Sequence, residues 1–293
     1  MKAFAKYHPL CLFIYFLSVV LVAMFVTNPV LQCLALFGGI LFCLALAKTS
    51  DIPGDLKFYI PMFFLVAVTN PLFSHNGVTP LFFLNGNPVT LEAVIYGIAI
   101  AFMIIGVMLW FKCYNEIMTE DKFLYLFARI TPKLSLIVSM ALRFIPMFKR
   151  QMKRVSDAQK AMGIYISKSY VNKAKSAVRV FTATVAWAFE NSIQISNSMK
   201  ARGYGLKGRT NFSLFKFRLN DGVLLSVCIT LLGITLAGIA AGETVFYYYP
   251  TISNINMSVS SIFIYTAFGI LSFLPFAIEV REALAWKYCV SKI

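Results

Sequence analysis

The chain alternates long apolar runs with short polar breaks, and the spacing of the breaks predicts membrane helices. Residues 10–27, 29–47, 91–111 and 222–242 are nearly uncharged runs of about the length that crosses a ~30 Å hydrocarbon core at ~1.5 Å per residue. Residues 260–278 form a fifth. Residues 58–73 are shorter and contain Pro61 and Pro71, so they predict a kinked or partly re-entrant segment spanning only ~24 Å. The first run lacks a small-residue cleavage site and is followed by further spans, which predicts a retained helix rather than a removed signal.

A different period governs the middle of the chain. Leu134, Val138, Ala141, Ile145, Phe148, Met152, Val155, Gln159 and Met162 follow alternating steps of four and three. Val178, Phe181, Val185, Ala188, Ser192, Ile195, Met199 and Arg202 do the same, and from Val138 onward each first-helix position has its counterpart forty residues on. Such 3.5-residue seams pack helix against helix. Val138, Ala141, Ile145, Phe148 and Val155 on one helix, with Val178, Phe181, Val185 and Ile195 on the other, are therefore the expected packing residues. Pro146 removes one backbone donor and is expected to kink the first helix. Ser156/Ser196, Lys160/Lys200, Ala161/Ala201 and Gly163/Gly203 strengthen the repeat, and each glycine stands where a helix C-cap is expected. The fold class predicted is an all-α polytopic membrane protein with about six membrane segments and two further long helices. Its parts are residues 1–111, an N-terminal membrane region of about four segments; 112–218, a basic two-helix region; and 219–293, C-terminal membrane helices with a short tail.

Composition agrees: 59% of residues are hydrophobic and mean hydropathy is +0.75, which excludes an ordinary soluble domain. Charge then orients the chain. Residues 74–90 and 243–259 and the break around Asn28 hold no Lys or Arg. All 27 basic residues fall at the N-terminus, in the turn at 48–57, in 112–218 and in the C-terminal tail. The positive-inside rule places those regions, with both termini, in the cytoplasm. Residues 112–218 alone hold 20 basic and 5 acidic residues, the whole net charge of +15. Such a surface suits anionic lipid headgroups or an acidic partner. Nucleic acid is disfavoured, because no RNA-binding motif with interleaved aromatics appears.

Catalytic chemistry is sparse. The six cysteines show no C-x-x-C spacing, and those inside spans read as small packing residues. His8 and His75 fall on opposite sides of the predicted membrane and cannot share a metal; no cofactor is expected. Gly203-Tyr-Gly-Leu-Lys-Gly-Arg209-Thr210 imitates a phosphate-binding P-loop, but Arg209 replaces the required Lys and a helix precedes it where a strand is needed. ATP hydrolysis by this chain is not expected.

The run P-K-L-S-L-I-V-S-M-A-L-R-F-I-P-M-F from Pro132, the ending D-A-Q-K-A-M-G and the ending M-K-A-R-G-Y-G resemble the transmembrane T component of energy-coupling-factor (ECF) transporters, including the cobalt-transport CbiQ-like proteins. The segments N-P-L-F-S-H-N-G from Asn70 and L-N-G-N-P-V-T-L-E-A from Leu84 are also similar. The resemblance implies a non-catalytic subunit of the bacterial or archaeal cell membrane. It implies that the two long helices couple to two ABC-type ATPase subunits, identical or not, and that a small membrane S component binds a vitamin or transition-metal ion. Ala201, Arg202 and Gly203 match the family's coupling motif in full. Ala161 and Gly163 match it, but Met162 replaces the Arg, leaving Lys160 and Lys200 as neighbouring cations. The alternative is a basic membrane scaffold that binds anionic lipid or an acidic partner without coupling transport.

Overall fold

The computed structural model describes residues 3–46, 52–74, 76–84, 87–163, 170–206 and 215–290. His75 and residues 207–210 of the P-loop-like segment lie outside this set. The described elements run α1 (Pro9–Phe25), α2 (Pro29–Leu46), α3 (Ile52–Phe73), strands β1 (Pro80–Leu84) and β2 (Asn87–Thr90), α4 (Leu91–Ile117), α5 (Glu120–Ile130), α6 (Pro132–Ala161), α7 (Tyr170–Ala201), α8 (Leu219–Ala240) and α9 (Val259–Val290), after a short 3-10 turn at Phe4–Lys6. They form two compact units, Met1–Lys122 with Phe215–Ile293, and Phe123–Leu214.

In the first unit, α2, α4, α8 and α9 are long and apolar enough to cross a membrane; α1 and the Lys57–Phe73 part of α3 are shorter apolar helices. The protein is thus an all-α membrane protein, with one small antiparallel β-hairpin added between α3 and α4. The third segment differs from expectation. Pro61 and Pro71 lie inside an unbroken 22-residue helix, which starts before the apolar run and so reaches ~33 Å.

Close packing in this unit relies on small residues, as it does where lipid removes the hydrophobic drive between helices. A Cβ added at Gly97 of α4 would meet the Ala67 carbonyl of α3 at 2.6 Å, and one at Gly38 of α2 would meet Ser272 of α9 at 2.9 Å. The end carrying the chain termini is filled with rings: Phe4, Tyr15, Phe16, Phe42 and Trp110 pack mostly edge to face, and the Trp110 indole donates to the Ala35 carbonyl at 2.8 Å. Charged groups there are spent on caps. Glu279 accepts from the Phe4 amide, and Asp221 accepts from the His8 and Arg218 amides, stitching α8 to the start of α1. The buried Lys122 ammonium donates to the Ala5 and Ile117 carbonyls.

At the opposite end, the segment between α8 and α9 folds back over the bundle. Asn28 donates to the Thr244 carbonyl and the Tyr265 hydroxyl, and Tyr248 donates to the Thr27 carbonyl. Glu243 collects donors from Asn256, Ser258 and Ser261.

Candidate functional site

The second unit is a helical hairpin, and its local sequence explains its ends. Pro132 occupies the first turn of α6, where its missing amide costs nothing. The helix then continues for 30 residues through Pro146 without interruption, so Pro146 deprives the Leu142 carbonyl of its helical partner but does not break the helix. Both helices end in the same way. In α7 the Gly203 amide bonds the Lys200 carbonyl at 2.9 Å and the Tyr204 amide bonds the Met199 carbonyl at 3.0 Å, the paired bonds of a Schellman cap. In α6 the Gly163 amide bonds the Lys160 carbonyl at 3.0 Å. Gly163 and Gly203 take φ of +77° and +81°, which only glycine adopts at low cost. Met162 and Arg202 therefore occupy the same position, the last residue before the glycine, and both are exposed.

The two helices run antiparallel. The Phe148 ring meets the Trp187 ring edge to face at 6.0 Å. Beyond that crossing, Leu136, Met140 and Met147 of α6 share one groove of about 640 Å³ with Asn191, Ile195 and Met199 of α7. An antiparallel pair whose sequences repeat at a forty-residue offset has a local two-fold axis, and it falls where a residue meets its own counterpart, at Phe148 and Ala188. Met162 and Arg202 are each fourteen positions from that axis, in opposite directions, or about 21 Å each way at ~1.5 Å per residue. The structure thus does not bring the two endings together; it sets them at the two ends of the hairpin.

Those ends differ chemically. Arg143 and Arg202 both line the groove, together with Ser198 and Tyr204. Their symmetry counterparts at the other end are Ala183 and Met162, so one end offers two guanidinium groups and the other an exposed thioether. Ala161, Ala201, Lys160 and Lys200 are exposed beside the endings, and Lys160 pairs loosely with Asp157 at 3.4 Å. Lys149, Arg150, Lys153 and Arg154 extend a basic exposed face along α6.

Of the expected packing residues, Phe148, Val155, Val185 and Ile195 are half-buried. Val138, Ala141, Ile145, Val178 and Phe181 are exposed in the isolated chain. The most buried positions are Gln159 of α6, which lies on the expected seam, and Ser176, Val180 and Thr184 of α7, which lie off it. The approach of Arg143 to Arg202 depends on the antiparallel turn-back, and no sequence spacing reports that.

A polytopic all-α membrane unit and a basic helical hairpin together define a multi-pass membrane protein. Residues 7–213 match the CbiQ family, described as "Cobalt transport protein", and the chain belongs to that family of ECF transmembrane components. It is 27% identical over 228 residues to the energy-coupling factor transporter transmembrane protein EcfT of Staphylococcus aureus, covering 73% of this chain and 85% of that one. It is 34% identical over 104 residues to the protein of the same name from Listeria innocua, 35% of this chain and 39% of that one. A third EcfT, from Brevibacillus brevis, is 33% identical over 100 residues, 33% of this chain and 38% of that one. Against the Listeria and Brevibacillus relatives, the match spans well under half of their length.

Proposed function

We propose that this chain is the coupling subunit of an ECF-type importer, carrying ATP-driven motion from two ATPase subunits to a substrate-binding S component. The observation that supports this reading most is the hairpin's geometry. Two equivalent helix endings, about 42 Å apart across a local two-fold axis, suit a pair of ATPase subunits related by a similar axis. A single lipid-facing scaffold would need no such arrangement. Arg202, flanked by Ala201 and Gly203, presents a planar group with five donors to a groove without neighbouring side chains in the way. Met162 fills an apolar groove at the other end, with Lys160 supplying charge. That asymmetry favours two non-identical ATPases. Exposed Val138, Ala141, Ile145, Val178 and Phe181 are left for contact with the membrane or the S component. The basic region and both termini face the cytoplasm, where anionic headgroups flank the hairpin. Catalysis belongs to the partners, and the imported vitamin or transition-metal ion is recognised by the S component.

Co-purification of the tagged chain from native membranes in mild detergent, with mass spectrometry of its companions, tests this. Two ABC ATPases and a small hydrophobic protein are expected. A chain that emerges with lipid alone would support the scaffold reading instead.

A further inference from the structure

The membrane unit contains a cysteine pair that no transport role uses. Helices α2 and α4 run parallel at an offset of seventy residues: Leu36 lies against Gly106 and Gly39 against Leu109, a register that sets Cys43 opposite Cys113 one turn further on. The two glycines bring the backbones close. A Cβ added at Gly106 would lie 3.7 Å from the Leu36 Cα and 3.8 Å from its Cβ. Cys43 and Cys113 stand one heptad further along the same two faces, where parallel helices repeat their contacts. A disulfide needs Cβ atoms about 3.5–4.5 Å apart, the range of the Leu36–Gly106 approach one heptad earlier in the same register.

Their environments differ usefully. Cys43 is half-buried and lines a groove of about 370 Å³ with Asp55, Tyr59 and Phe63, so a small reagent reaches it. Cys113 is only 1% exposed, behind Cys43. Lys112, paired with Asp55, places a cation on this side of the helix pair. Among the described residues no third His, Cys, Asp or Glu completes a metal-binding group. The pair is therefore suited to thiol chemistry rather than to holding a metal.

We propose that Cys43 and Cys113 form an oxidisable dithiol that hydrogen peroxide converts to a disulfide stapling α2 to α4. The Cys43 sulfur attacks the peroxide, forming an S–O bond as the O–O bond breaks and water leaves. The product is a sulfenic acid at Cys43. The Cys113 sulfur then attacks the Cys43 sulfur; the S–S bond forms, the S–O bond breaks, and a second water departs with the Cys113 proton. Two thiols and one peroxide thus become one disulfide and two waters. The lack of C-x-x-C spacing conceals the pair, because its halves are seventy residues apart and meet only through helix packing.

The test uses the full-length protein in its native membranes. After peroxide treatment, free thiols are blocked, and the digested protein is searched for a peptide pair joining the two segments, two hydrogens lighter than its parts and released by dithiothreitol. In parallel, Cys113→Ser is treated with dimedone, which traps sulfenic acid. The proposal expects the linked pair in the wild type, its absence in Cys113→Ser, and a several-fold gain of dimedone adduct at Cys43 in that variant. The proposal is overturned if both wild-type thiols stay blockable, or if Cys43 passes to sulfinic acid with Cys113 untouched.

Discussion

Arg202 and Met162 pose the sharpest question at the scale of single residues, because the fold gives them identical backbone positions and different chemistry. A hydrogen bond to a charged group contributes about 1.5–3 kcal/mol when buried in an interface, and ~1.4 kcal/mol is a tenfold change. Arg202→Glu is expected to lower ATP-driven uptake in vesicles by about ten-fold or more, whereas Met162→Glu lowers it far less. Equal losses would remove the asymmetry. Glu243 offers a second residue-scale test. Donors from Ser260, Ser258, Ser261 and Asn256 hold its carboxyl below the ordinary value of 4.5. A depressed pKa means that its contribution is fully present above pH 4.5 and is lost as pH falls through the lower folded value. Thermal unfolding of the purified protein should weaken over that window, and Glu243→Gln should flatten the dependence. An unchanged pH profile in the variant would refute the assignment.

The hairpin shows, at the scale of elements, what a sequence pattern carries and what it loses. The forty-residue repeat and both glycine caps were legible, because heptad spacing and the left-handed φ of a C-cap are local properties. The direction of packing was not. Parallel and antiparallel pairs use the same 3.5-residue seam, and the turn-back keeps Gln159 of that seam buried but moves burial in α7 to Ser176, Val180 and Thr184. The Gln159 side chain is buried, and among the described residues its Oε1 atom has no partner. Gln159→Met keeps the length and removes that polar atom, so the hairpin should gain about 1 kcal/mol, read as a higher unfolding temperature. A lower temperature would show that Gln159 is satisfied in the assembled protein. Ile145 is 48% exposed and outside the groove. Ile145→Asp should therefore leave the detergent-purified chain within about 0.5 kcal/mol of wild type while reducing recovery of the complex. A large loss of the chain's own stability would put Ile145 back into intrachain packing.

For the whole molecule, most of the membrane region was legible, because uncharged runs of span length have few other homes. The α3 segment was longer than its hydropathy suggested: its first two turns contain Gly54, Asp55 and Lys57, and Asp55 is paired with Lys112 rather than left alone near lipid. The cap made by Glu279 on the N-terminal turn was hidden too, since its halves lie 275 residues apart. The site is harder to read than the fold because it is made from an arrangement, two endings about an axis, rather than from a cluster of reactive groups. That arrangement can be probed directly by placing a photo-cross-linking phenylalanine at position 162 or 202, one at a time, and irradiating native membranes. Each position is expected to link to an ATPase subunit, and the two positions to different subunits of the pair. Linkage of both to one subunit, or to lipid alone, would contradict it.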